Sequence, residues 1–171
     1  MPCDFLIGHD SKGTVVRLVG RGTMQESPAF RAAVEPNLNA GLVVFDAARC
    51  EYLDSTFLGC LVGIKKECEH HPACRFVIAA SEATRDKLFS STYLDQYFDF
   101  IDESPVVDGQ FAPVDIATLE PEELGKHVMR CHERLATVGG GKAAAFQEVA
   151  DQLARELGER PSKDNLKHSN C

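Results

Sequence analysis

Ser55 is the hydroxyl in this sequence with the most informative surroundings. It sits in Leu53-Asp54-Ser55-Thr56-Phe57-Leu58-Gly59, where a short polar loop gives way to a strongly apolar helical pattern. A serine at that junction is an N-cap candidate, its side chain beside the free N–H groups of the first turn. Ser and Asp favour such positions for capping alone, so the local pattern leaves open both a structural cap and a hydroxyl available for modification. Thr56 is a second acceptor candidate. Cys68-Glu69-His70-His71-Pro72-Ala73-Cys74 holds four zinc-ligand side chains in seven residues, chemistry that would need a tetrahedral N/S site. Compact spacing alone does not build one, histidine near a helix C-terminus is favoured by the helix dipole, and cysteine packs well as a small buried residue. Cys131-His132-Glu133 begins like a His-Glu-x-x-His zinc motif, but Ala136 stands at the last position. Gly139-Gly140-Gly141-Lys142 lacks the spaced glycine and the Ser or Thr of a P-loop, having Ala136 and Ala143 there. There is no G-x-S-x-G elbow, and no base stands at a fixed spacing from Ser55, Cys50 or the Cys68 to Cys74 cluster. No catalytic residue, metal ligand or cofactor is therefore expected.

The elements around Ser55 follow from hydrophobic periodicity. Phe5 to Gly8 and Thr14 to Val19 read as a hairpin about the turn Asp10-Ser11-Lys12-Gly13, closed by Gly20-Arg21-Gly22. Ser27-Pro28 starts a helix with Phe30, Val34 and Leu38 on one face. Leu42 to Phe45 is a continuous apolar strand ending in Asp46, the kind buried on both faces of a sheet. The helix after Ser55 carries Phe57, Leu58, Leu61, Val62 and Ile64, more than one stripe, so it should pack heavily. Arg75 to Ala80 is another strand, Ser81-Glu82 opens a third helix running through Leu88 and Phe89, and Tyr97 to Ile101 adds a last strand. Alternating elements of this size predict an α/β sandwich with a mixed sheet.

Asp108-Gly109-Gln110 marks a boundary, and residues 1–110 form the expected first domain. Residues 111–161 change character. Leu124, Val128, Cys131, Leu135 and Val138 recur at helical spacing after the acidic start Glu120-Pro121-Glu122-Glu123, and Phe146, Val149, Ala150, Leu153 and Leu157 follow a glycine break. This predicts an αα-hairpin whose apolar stripes must be covered by each other, by the first domain or by another copy of the chain. Residues 162–171 read as a flexible tail.

Composition bounds the partners. The 171 residues include 44% apolar and 26% charged residues with a net charge of -8, a globular balance. The acidic charge argues against nucleic acid and anionic lipid as partners. No apolar run approaches a membrane span, and Met1-Pro2-Cys3-Asp4 does not open a signal peptide, so a cytoplasmic location is expected. Seven cysteines without C-x-x-C spacing suit reduced thiols rather than a disulfide framework.

The stretch from Leu42 to Gly59 resembles the STAS family, named for sulfate transporters and anti-sigma factor antagonists. The family pattern is a hydrophobic strand ending in Asp, a variable loop, and Asp-Ser-Ser/Thr-Gly-Leu-Gly opening a helix. Asp46 matches the first part; Asp54, Ser55, Thr56, Leu58 and Gly59 match the second; Phe57 stands where glycine is common. The order of elements agrees from about residue 4 to 105, and the helical hairpin lies outside it. The resemblance implies a STAS-like mixed β-sheet with helices packed on it, followed by the C-terminal αα-hairpin. It further implies a non-catalytic regulator of transcription that binds an anti-sigma factor or serine protein kinase, is released by phosphorylation at Ser55, and is reset by a serine phosphatase. Asp46, Asp54, Phe57, Leu58 and Gly59 would then border the partner surface. Phosphorylation would add roughly -1.5 to -2 charge at a helix N-terminus. The alternative is a constitutive STAS scaffold or small-ligand sensor that self-associates, as a homodimer, through its C-terminal helices.

Overall fold

Asp10-Ser11-Lys12-Gly13 closes the hairpin that starts the fold. In the computed structural model, which describes residues 4–39, 41–138 and 140–159, strand β1 (Asp4–Asp10) pairs antiparallel with β2 (Gly13–Gly22). The Asp10 carboxylate accepts the Lys12 and Gly13 N–H groups, and Gly13 has φ +150°, with no room for a Cβ against the Leu42 carbonyl. Helix α1 (Ser27–Val34) follows with Pro28 in its first turn, and β3 (Leu42–Asp46) then enters the sheet parallel to β2. Strand β4 (Cys50–Leu53) leads into helix α2 (Ser55–Glu69), β5 (Arg75–Ala79), helix α3 (Glu82–Phe89) and β6 (Phe100–Ile101). The main sheet runs β6-β5-β3-β2-β1 and ends on a short strand β7 (Ala112–Pro113), with β4 paired to the far end of β2.

Burial alternates along the central strands and builds two cores. Val16, Leu18, Val43, Phe45, Phe76 and Ile78 face the helices, together with Phe30, Phe57, Leu61 and Phe89. Val15, Val44, Val77 and Ala79 face the other way and are covered by Val107 and Phe111 from the chain that follows β6. The mixed α/β sheet with packed helices is thus as expected, and three details differ from the periodicity reading. Residues 50–53 are a strand rather than a polar loop, because a register shift between Gly20 and Arg21 lets β2 continue past Val19 and pair again. The last predicted strand shortens to Phe100–Ile101, since Leu94–Gln96 form a single 3-10 turn. Ala112-Pro113, beyond Asp108-Gly109-Gln110, pairs with Ile7 and Leu6 and so belongs to the sheet.

The cysteine expectation is corrected at the α2–β5 connection. Cys68 and Cys74 form a disulfide, with Cα atoms 5.3 Å apart, and this leaves neither thiol available to a metal. The Cys68 to Cys74 spacing is short enough for the tight turn after α2 to bring the two side chains together. Among the described residues no group of three His, Cys, Asp or Glu side chains is placed to hold a metal ion, and no helix is long and apolar enough to cross a membrane.

The C-terminal helices α4 (Pro121–Ala136) and α5 (Ala143–Glu156) form the expected hairpin. Met129, Ala150 and Ala154 pack between them. Cys131 and Leu135 instead join the core of the first layer through α2. The Cys131 and Leu135 part of the α4 stripe is therefore buried within one chain, while Leu124 and Val128 are half-buried and Val149 on α5 is exposed. The expected tail, residues 162–171, lies outside the described residues.

Candidate functional site

Three elements meet at Ser55. The loop from β4 ends on Asp54, which has extended backbone (φ -82°, ψ 171°) and is the N-cap of α2, its Oδ1 accepting the Phe57 N–H at 2.8 Å. Ser55 is the first residue of the helix, one position past the cap expected from sequence. Asp54 Oδ2 also accepts the Met24 N–H at 2.8 Å, tying the loop before α1 to the start of α2. Both carboxylate oxygens are thus engaged by backbone. Replacing Asp54 with Ala should destabilise the protein by about 1–2 kcal/mol in urea unfolding, with Asn recovering most of the loss. An Asp54→Ala protein as stable as the parent would remove the cap assignment.

Displacement from the cap frees the Ser55 hydroxyl for another partner. Its Oγ lies 3.0 Å from Nε2 of His132 on α4, and Nδ1 of the same ring lies 2.9 Å from the Val128 carbonyl. A carbonyl only accepts, so Nδ1 carries the hydrogen and Nε2 of the neutral ring accepts from the serine O–H. The hydroxyl is half-buried, oriented and hydrogen-bonded to a base. His132 is itself 6% exposed. Ser55 with His132 lacks the carboxylate that orients the histidine of a hydrolytic triad; a backbone carbonyl takes that place.

A cleft of about 430 Å³ opens beside Ser55, lined among others by Tyr52, Lys87, Thr92, Lys142 and Phe146. It lies between the start of α2, the end of α3 and the turn of the hairpin.

The remaining residues predicted to border a partner surface are placed differently. Asp46 is 1% exposed, its Oδ2 2.7 Å from Arg17 Nε and its Oδ1 accepting from Ser104 Oγ at 2.9 Å and Ala48 N–H at 3.1 Å. It fastens the end of β3. Thr56 is buried. The Phe57 ring is in the core, 5.2 Å from Phe30 and 5.6 Å from Phe45 between centroids, because its helical position turns it toward the sheet. Leu58 is buried, and Gly59 is covered by α4 so closely that a Cβ would lie 2.1 Å from the Cys131 carbonyl oxygen. Of the predicted residues, Asp54 and Ser55 alone share the cleft with partial exposure.

Sequence reasoning missed His132 and His127. His127 Nε2 hydrogen-bonds with the Ser27 hydroxyl at 2.7 Å and stands 3.6 Å from Cys131 Sγ. A hydrogen bond from Cys60 and the neighbouring His127 hold the Cys131 thiol below the usual range, while the same contact and full burial push the Cys60 thiol well up. The signal was present: both histidines lie on or beside the apolar stripe of α4, where polar side chains need buried partners.

Residues 5–101 match the family described as Mlab, STAS domain. No curated protein matches the sequence at a significant level. Among solved structures, an anti-sigma factor antagonist from Mycobacterium paratuberculosis is similar with a TM-score of 0.51 at 20% identity, over 59% of this chain and 86% of that one. The anti-sigma factor antagonist SpoIIAA in its unphosphorylated form gives a TM-score of 0.48 at 19% identity, over 58% and 89% of the two chains. The first likeness bears on the fold alone. The family match spans more than half of the sequence and covers the strand, the cap and the helix that carry Ser55, and so the chain belongs to the STAS domain family.

Proposed function

We propose that this protein is a non-catalytic signalling regulator that binds a serine kinase of the anti-sigma factor type and is switched by phosphorylation at Ser55, acting in transcription control in the cytoplasm. The carrying observation is the Ser55 hydroxyl itself: it is displaced from the capping role by Asp54, opens on a cleft, and donates to His132 rather than to the backbone. Thr56, buried under the helix start, is the poorer acceptor. The similar structure from Mycobacterium paratuberculosis is an anti-sigma factor antagonist, which supports the same class. A serine phosphatase would reset the switch.

Phosphosite mapping of the protein purified from its own cells, with phosphatases inhibited, tests the reading. One phosphate on Ser55 is the expected result. A chain unmodified at Ser55 under every growth condition in which it is expressed would overturn it. Against the cognate kinase, Ser55→Asp should weaken binding by about tenfold or more, about 1.4 kcal/mol, while Ser55→Ala retains it.

A further inference from the structure

The hairpin brings basic groups to an acidic protein at one place. Lys142 from the turn before α5 and Lys87 from α3 line the cleft on which Ser55 opens, and His132 from α4 touches the Ser55 hydroxyl. Among the described residues neither lysine is in an ion pair, whereas Lys126 on the outer part of the hairpin is paired with Glu122. Two unpaired ammonium groups are thus held near a single hydroxyl in a chain of net charge -8. The carboxylates at the cleft are Asp54, whose two oxygens already accept N–H groups, and Glu51.

We propose that this cleft is the receiving site for a phosphoryl group carried by Ser55, and that Lys142, Lys87 and His132 hold it so that modification fastens the α4–α5 hairpin onto α2. The inference rests on Ser55 being the modified residue. In the transfer, Ser55 Oγ bonds to the γ-phosphorus of a nucleoside triphosphate as the bond to the β-phosphate oxygen breaks, the nucleoside diphosphate leaves, and the hydroxyl proton passes to His132 Nε2. The phosphoserine then has acceptor oxygens where the serine had a donor. His132 meets them with Nε2–H while Nδ1–H stays on Val128, and the lysines approach from the two other walls. The cleft's volume of about 430 Å³ gives the group room. Since α4 covers Gly59, a phosphate tied to the hairpin would keep that face of α2 covered.

Phosphoserine placed at position 55 of the full chain during translation, without any kinase, tests this directly. Amide hydrogen exchange in α4 and α5 should be about tenfold slower in the phosphoserine protein than in the serine protein, a difference of about 1.4 kcal/mol. The exposed substitution Lys142→Met should abolish most of that gain, while Lys126→Met keeps it. Exchange that is unchanged or faster on phosphorylation would overturn the proposal, as would a gain untouched by Lys142→Met. An absence of phosphate at Ser55 in cells would count against the switch alone, because the installed phosphoserine still reports whether the cleft holds the group.

Discussion

Phe57→Ala should lower the stability of the full chain by about 3–5 kcal/mol, the usual cost of deleting a fully buried phenyl ring. The position is where the family pattern commonly has glycine, so the substitution moves the sequence toward that pattern while emptying its core. The ring is completely buried between Phe30 and Phe45. Gly22 accommodates it: a Cβ there would stand 2.7 Å from Leu18 and Leu53 and 3.0 Å from the Phe57 ring. The bulky residue on α2 and the missing side chain on β2 are therefore complementary, and a small residue at 57 leaves a cavity that neighbouring aromatic rings fill poorly. Urea unfolding followed by circular dichroism measures the loss. A loss below about 1 kcal/mol would mean that the ring does not fill the core as described.

The central elements were legible because burial alone dictates them. Leu42 to Phe45 and Phe76 to Ala80 are uninterrupted apolar runs, and a parallel strand covered on both faces needs nothing more. Strand β4 was hidden because Cys50-Glu51-Tyr52-Leu53 has two exposed residues in succession, and its pairing depends on an irregularity in β2 that leaves no local signature. A two-residue strand such as β7 carries no period at all. At the site, Asp54 and Ser55 were both recognisable as helix-start residues, but which of them caps depends on backbone dihedrals that two adjacent capping residues cannot announce. The larger omission is the 77-residue separation between Ser55 and His132. Nothing in either segment names the other; only the docking of α4 on α2 joins them. The Cys68–Cys74 bond was missed for a different reason, since compartment arguments about cysteine say nothing of two side chains brought together by one turn.

That docking has a direct test at Gly59. In the interior of an exposed helix, alanine is preferred to glycine by about 1 kcal/mol, so Gly59→Ala would stabilise the protein if α2 met solvent there. In the structure the added Cβ would lie 2.1 Å from the Cys131 carbonyl oxygen and 2.9 Å from its Cα, which are backbone atoms and cannot swing aside. Gly63, one turn on, repeats the relation, with Arg134 lying 2.8 Å from where its Cβ would be. Two glycines four residues apart thus form the groove into which α4 settles, and the contact of His132 with Ser55 depends on that close approach. Gly59→Ala should therefore destabilise by about 2 kcal/mol, the overpacking penalty exceeding the helix preference. The loss should concentrate in α4 and α5, seen as faster hydrogen exchange and earlier proteolysis of residues 121–156, while β3 and β5 keep their protection. Gly63→Ala, which meets a flexible side chain, should cost less. A neutral or stabilising Gly59→Ala would show that α4 does not press on α2, and would separate His132 from Ser55 together with every role assigned to the pair.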